Sequence, residues 1–309
     1  MSLIGSGKHW GVAALVVELR ELRLQSLQNR QLRDHPPKLP SKKNLQQILE
    51  QLAAVLFPNR LGQADLTEEG VDYYVGHTLE SALLELYRQI VLELQFTARL
   101  ENHHGDTPTC AEAIVKAFAA QLPAIRALLD SDVQSAYEGD PAARSADEVL
   151  VCYPGVIAIL HHRIAHPLYR LGAPMVARMI SELAHSATGI DIHPGAQIAD
   201  SFFIDHGTGV VIGETAIIGR RVRLYQAVTL GAKRFVKDEN GILVKGNARH
   251  PIVEDDVVIY AGATILGRIT IGAGSTIGGN VWLTYSVPPR SHVSQAMVRS
   301  ELFEAGGGI

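Results

Sequence analysis

Thirteen histidines and only two cysteines decide where chemistry can sit in this chain of 309 residues. Cys110 and Cys152 cannot build a disulfide framework or a four-cysteine zinc site, and they suit a reducing cytosol, so a cytoplasmic protein is expected. His103-His104 and His161-His162 with His166 lie in helical sequence. His162 and His166 share a helix face, but no Glu follows His162, so the zinc-protease pattern is absent and no metal site is assigned. Asp205-His206, after the apolar run Phe202-Phe203-Ile204, is more informative, as is Asp191-Ile192-His193. A carboxylate bonded to one imidazole nitrogen fixes the tautomer and steadies the cation formed when the other nitrogen takes a proton. His206 with Asp191 therefore reads as a general base and its brace; the alternative is that Asp205 and His206 only decorate a corner. Arg249-His250-Pro251 offers a guanidinium that could grip a small carboxylate through two parallel hydrogen bonds, or else a surface charge.

Two kinds of element must position these residues. Up to residue 188 the pattern is helical: Ala13, Leu15, Val16, Leu19, Leu22 and Leu24 recur near a 3.6-residue period, as do Leu45, Ile48, Leu49, Leu52 and Leu56. The prolines of Asp34-His35-Pro36-Pro37-Lys38-Leu39-Pro40 mark a linker. Thr109-Cys110-Ala111-Glu112 and Ser145-Ala146-Asp147-Glu148 read as capping boxes that open helices. From Gly189 the period becomes six. Aliphatic residues stand at Ile192, Ile198 and Ile204, slip by two, and resume at Ile212, Ile218, Leu224 and Leu230. After an interruption they continue through Val253, Ile259, Ile265, Ile271, Ile277 and Leu283. Four residues after each, Leu230 at the interruption aside, stands a small or β-branched one, with Phe202 the bulky exception. Such hexads mark a parallel β-helix in which three hexads close one triangular coil, about four coils here. The fold class is thus α+β: an α-helical domain over 1–188, a parallel β-helix over 189–288 with a polar loop extruded at 232–252, and a tail over 289–309.

Composition removes several classes. A net charge of −4 argues against a nucleic-acid surface, and no stretch approaches the roughly 18 apolar residues of a membrane span. The run Gly11 to Val17 is short and continues into helically spaced Glu18-Leu19-Arg20-Glu21-Leu22-Arg23, so it opens an amphipathic helix and is no signal peptide. Gly5-Ser6-Gly7-Lys8 lacks the leading Gly and the Ser/Thr of a phosphate loop.

Taken together the motifs resemble the serine acetyltransferases, over roughly Asp132 to Pro289. The likeness rests on Asp132-Val133-Gln134 with Gly139-Asp140-Pro141-Ala142, on Asp191-Ile192-His193-Pro194-Gly195-Ala196, and on Ile204-Asp205-His206-Gly207-Thr208-Gly209 running to Gly213-Glu214-Thr215-Ala216. Gln226-Ala227-Val228-Thr229-Leu230-Gly231, Arg249-His250-Pro251 and Val287-Pro288-Pro289 complete it. The resemblance implies a left-handed β-helix and direct acetyl transfer from acetyl-CoA, a co-substrate and not a bound cofactor, to the L-serine hydroxyl. It implies His206 as base, Asp191 as its orienting carboxylate, Asp140 and Asp205 as holders of the serine ammonium, and Arg249 and His250 as binders of its carboxylate. Coenzyme contacts would fall at Gly231, Ala232, Ala261 and Gly279, in a groove between β-helices of neighbouring subunits. The triangular coils point to a trimer or a dimer of trimers, and the amino and carboxylate groups that cysteine shares with serine point to inhibition by cysteine; the resemblance further implies docking of Ile309, after the glycine run 306–308, into O-acetylserine sulfhydrylase. Three features depart from the family pattern: the long loop, Tyr260 where Gly is common, and Ser294-Gln295-Ala296-Met297-Val298-Arg299 in place of Gly-Val-Pro-Ala-Arg. The competing readings are an acetyltransferase for homoserine or a sugar, and a scaffold that acts only through its tail. A γ-type carbonic anhydrase would need a histidine pair five residues apart, which the span from Ile190 to Val287 lacks.

Overall fold

An aliphatic side chain every sixth residue can be buried only if the backbone turns a corner between successive ones. The computed structural model describes residues 10–29, 38–63, 65–101, 105–234, 239, 241, 243–244 and 246–295, and in it the hexads do this. The first coil holds β1 (Asp191–Ile192), β2 (Gln197–Ile198) and β3 (Phe203–Ile204). The second holds β4 (Val211–Ile212), β5 (Ile217–Ile218) and β6 (Arg223–Leu224), and the third β7 (Thr229–Gly231), β8 (Ile252–Val253) and β9 (Val258–Ile259). The fourth holds β10 (Thr264–Leu266), β11 (Thr270–Ile271) and β12 (Thr276–Ile277), and β13 (Trp282–Leu283) and β14 (His292–Val293) follow.

All strands pair in parallel with the rung above and below, giving a left-handed β-helix with three faces: β1-β4-β7-β10-β13, then β2-β5-β8-β11, then β3-β6-β9-β12-β14. The aliphatic marks from Ile192 to Leu283 form the buried column, with Ile198 alone at its margin. A fifth coil thus follows the expected four, because β14 pairs with β12 and Val287 bridges Ile271. The β-helix accordingly runs past the expected limit at 288.

Register shows where the regular coil is broken. Val211 pairs with Thr229 and Thr264 with Trp282, each 18 residues on. Asp191 pairs with Val211, 20 residues on, and Thr229 with Thr264, 35 residues on. The short excess lies at Asp205–Gly209 and the long one is the extruded loop.

Nine helices are described ahead of the coils: α1 (Val12–Asn29), α2 (Lys42–Leu56), α3 (Pro58–Leu61), α4 (Glu68–Leu100), α5 (Thr107–Ala119), α6 (Leu122–Gly139), α7 (Ala146–Cys152), α8 (Pro154–Arg170) and α9 (Pro174–Thr188). The side chain of Ser145 caps α7 by accepting from the Glu148 amide, while Glu148 reaches back one residue further than a standard box, to the Arg144 amide. The box expected at Thr109 is not an N-terminus: Asp106 caps α5 and Thr109 lies inside it, donating its hydroxyl to Asp106. Pro108 then occupies the first turn, where a missing N–H costs nothing. Gly189 ends α9 in the left-handed region and turns the chain into β1.

Two devices lock helices to coils. Arg163 of α8 forms a two-pronged pair with Asp132 of α6, both N–O distances 3.0 Å, and donates on to the Ala199 carbonyl. Asp132 also accepts from the Phe202 amide, so one buried ion pair satisfies backbone groups of the first coil. Gly155 of α8 lies so close to that coil that a Cβ there would sit 2.3 Å from the Ile204 carbonyl oxygen. No single helix among the described residues is long and apolar enough to cross a membrane; α7 and α8 together are as apolar but are bent by 76°. His103, His104, Gly5–Lys8, the prolines Pro36 and Pro37, and Ile309 lie outside the described residues.

Candidate functional site

The two extra residues of the first coil form a tight turn. The Gly207 amide donates to the Asp205 carbonyl at 2.7 Å, and His206 between them has φ +58°. Left-handed corners recur at Ser201, Arg221 and Asn280, so the conformation belongs to the architecture. The added length is what pushes His206 outward: its side chain is 70% exposed.

This corner, between the third face and the first, gathers charge. Asp205 is buried and accepts from Arg223 Nη2 at 2.7 Å, while its other oxygen stands 3.8 Å from His206 Nδ1, too long for a hydrogen bond. Arg223 packs its guanidinium over Phe203 and Tyr225, and Tyr225 stacks on Tyr260 with centroids 5.0 Å apart. Asp140, at the end of α6, accepts from the Tyr153 hydroxyl at 2.5 Å and from the Ala142 amide at 2.8 Å. Those two bonds, with Arg223 and His206 nearby, hold its carboxyl below the usual range, and the same contact pushes the Tyr153 phenol up to about 12. Asp140, Asp205 and His206 therefore share one corner.

Arg249 and His250 stand at a different corner, between the first face and the second. Arg249 Nη2 bonds Glu214 at 2.6 Å, and Glu214 also accepts from Tyr169 at 2.9 Å. Burial works to raise the Glu214 carboxyl, but these donors outweigh it and the net direction is down. Thr215 fixes the pair: its amide donates to His250 Nδ1 at 3.0 Å, and its hydroxyl oxygen accepts from the Arg249 amide at 2.9 Å. With Nδ1 accepting, His250 carries its proton on Nε2, free to donate. Burial, then the Arg249 charge, pulls this imidazole down to about 4, so it is neutral at physiological pH. The ring lies against Gly213, where a Cβ would sit 2.0 Å from His250 Cδ2.

One expectation fails within a single chain. No hydrogen bond or ion pair among the described residues joins Asp191 to His206. Asp191, on β1, belongs to the first face and gathers with Glu182 and His185 of α9, their ligand atoms all within 4.8 Å. With an 18-residue coil the 15-residue separation puts His206 on the neighbouring rung, three residues short of Asp191's column and within side-chain reach; the first coil has 20, and the gap widens to five residues. The expected coenzyme contacts divide in the same way. Ala261 and Gly279 are adjacent at the His206 corner, where a Cβ on Gly279 would lie 3.3 Å from the Ala261 carbonyl, whereas Gly231 ends β7 and Ala232 leads into the loop near Arg249. A 270 Å³ cavity opens there, lined by Lys233, Arg234, Arg249 and Arg268; two larger ones, of 660 and 400 Å³, lie among the helices.

Sequence reasoning did not assign Tyr153, Tyr169, Arg223, Gly213, Glu214 or Thr215. The Gly-Glu-Thr-Ala string was a visible signal, since hexad phase puts it at the same corner as Arg249-His250. The tyrosines carried none, because they reach their partners from helices.

Known proteins can be set beside this geometry. Residues 250–284 match the family described as bacterial transferase hexapeptide (six repeats). The plasmid serine acetyltransferase of Synechococcus elongatus is 55% identical over 306 residues, covering 98% of this chain and 96% of that one. Serine acetyltransferase 1 of Entamoeba histolytica, solved in complex with L-cysteine, aligns with a TM-score of 0.71 at 38% identity, over 85% of this chain and 90% of that one. The serine complex of the Neisseria gonorrhoeae serine acetyltransferase aligns with a TM-score of 0.53 at 27% identity, over 83% and 96%.

Proposed function

The chain belongs to the serine acetyltransferases, and from that premise we propose how its two corners perform serine O-acetylation. The observation that carries the reading is the division of the candidate groups between two corners. Asp140, Asp205 and the exposed His206, with Arg223 bound to Asp205, occupy one corner; Arg249 and the neutral His250, with Glu214 bound to Arg249, occupy another, and both flank the first face. Serine is a zwitterion whose ammonium and carboxylate lie too close together to span a face of one β-helix. A cyclic trimer with head-to-tail interfaces would set the His206 corner of one subunit against the Arg249 corner of the next. Asp140 and Asp205 then hold the ammonium, and Arg249 with His250 Nε2–H holds the carboxylate.

The same docking would bring the partner subunit's Asp191 to His206, restoring the brace that one chain does not form. His206 takes the proton as the serine oxygen attacks the thioester carbonyl of acetyl-CoA. The tetrahedral oxyanion collapses, the C–S bond breaks, and the imidazolium returns its proton to the departing thiolate. General-base catalysis by a positioned imidazole contributes about 10²–10⁴-fold. No enzyme group is acylated, so kinetics are sequential. The donor lies in the intersubunit groove past Ala261 and Gly279 on one side and Gly231 and Ala232 on the other. Cysteine, with the same ammonium and carboxylate, competes with serine, in keeping with the cysteine complex of the Entamoeba relative. The contact of Ile309 with O-acetylserine sulfhydrylase belongs to the same reading, and removing Ile309 should abolish co-purification.

Mixed oligomers test it. His206→Ala and Arg249→Ala are each expected to be inactive alone. Refolded together at equal ratio, they regain about a quarter of wild-type activity if every site takes one corner from each of two chains. Continued inactivity of the mixture, with trimers formed, would overturn the shared site.

A further inference from the structure

α1 is the one long helix that contributes nothing to the described core. It is exposed continuously as far as Gln25, and Val12, Leu15, Leu19 and Leu22 are each more than half accessible. An apolar surface of this kind on a helix marks a contact with something outside the chain. Spacing points to the partner. Val12, Leu15, Leu19 and Leu22 fall at a, d, a and d of two successive heptads. In this frame Glu18 takes position g and Arg23 the following e, opposite charges that pair between strands of a parallel coiled coil. Val17 and Leu24 fall at f and lie outside the seam.

We infer that α1 packs against α1 of its neighbours as a parallel, in-register coiled coil, the partner being a second copy of this chain. The inference rests on the cyclic trimer proposed above, because helices that pack together along a threefold axis are related by rotation about it and so run parallel. Parallel register brings each a residue to the same residue of the next chain and each Glu18 to the neighbouring Arg23. The seam clusters near the start of α1 and ends before Ser26, which would occupy the next a position.

Single cysteines introduced into a Cys110→Ser, Cys152→Ser background read the arrangement directly by oxidation with copper phenanthroline and non-reducing electrophoresis. Val12→Cys and Leu19→Cys are expected to link chain to chain, whereas Arg20→Cys, at outward position b, stays at background. Linking at Leu19→Cys without Val12→Cys would mean antiparallel contact and overturn the inference, as would linking at neither site or equally at all three. Light scattering on the same samples separates the two levels: three-chain particles without the links remove this inference alone, and single chains remove the trimer beneath it.

Discussion

Gly213→Ala places one methyl group where the His250 imidazole rests, the ring proposed above to bind the serine carboxylate. The new Cβ would lie 2.0 Å from His250 Cδ2 and 2.1 Å from Nε2, so reaching ordinary contact near 3.4 Å requires the ring to retreat by about 1.4 Å. The ring cannot simply rotate away, because Thr215 holds Nδ1 through its amide at 3.0 Å and meets it again with its hydroxyl at 2.9 Å. Thr215 Oγ1 also accepts from the Arg249 amide, so displacement is passed to the neighbouring guanidinium. A misplacement of about 1 Å costs on the order of 10²-fold in catalysis, and overpacking costs about 1–3 kcal/mol of stability. Thiol release with serine varied should show kcat/KM for serine lower by about 10²-fold, with KM for acetyl-CoA changed by less than about threefold. The double variant isolates the cause: in a His250→Ala background, Gly213→Ala should be nearly silent, since nothing remains to strike. An equal loss in both backgrounds, or a serine kcat/KM close to wild type in the single variant, would refute the reasoning.

Other perturbations follow from the same contacts. Tyr153→Phe removes the hydroxyl that lowers the Asp140 carboxyl, so the acid-side decline in serine affinity should move to higher pH; an unmoved profile would show that Asp140 does not meet the ammonium. Asp132→Ala leaves Arg163 buried and unpaired, and urea titration should record a loss of about 3–5 kcal/mol; near-wild-type stability would mean the clamp is not structural. His250, at about 4, is one of five imidazoles, with His161, His162, His166 and His193, lowered first by burial. The unfolded chain protonates them near 6.5, so between that value and about 4 it binds more protons than the folded one. Stability should therefore fall as pH drops through this window and be indifferent to these groups above pH 7.5. Thermal midpoints that hold constant from pH 7 to 5 would contradict the burial argument.

The hexads were legible because a solenoid repeats one local decision: Ile259, Ile265, Ile271 and Ile277 each face the same column for the same reason. The same regularity misled where it was assumed to hold, since an 18-residue coil would have stacked Asp191 near His206 and the actual coil has 20. Thr109 misled differently: its capping motif was sound chemistry, but Asp106 three residues earlier opened the helix first. The supports of the site could not be read from spacing. Tyr169 meets Glu214 across 45 residues, and Asp132 meets the Phe202 amide across 70, contacts made by packing a helix on a coil and not by any local period.

The surplus pair of residues between Ile204 and Val211 has a consequence for anyone who would idealise this fold. Trimming the first rung to the common length would even out the column and, by ordinary design criteria, give a tidier prism. It would also draw the His206 imidazole back into the wall. On the role proposed for His206, reactivity depends on a flaw in the repeat, and consensus redesign of the solenoid should yield a sturdier protein that no longer turns over.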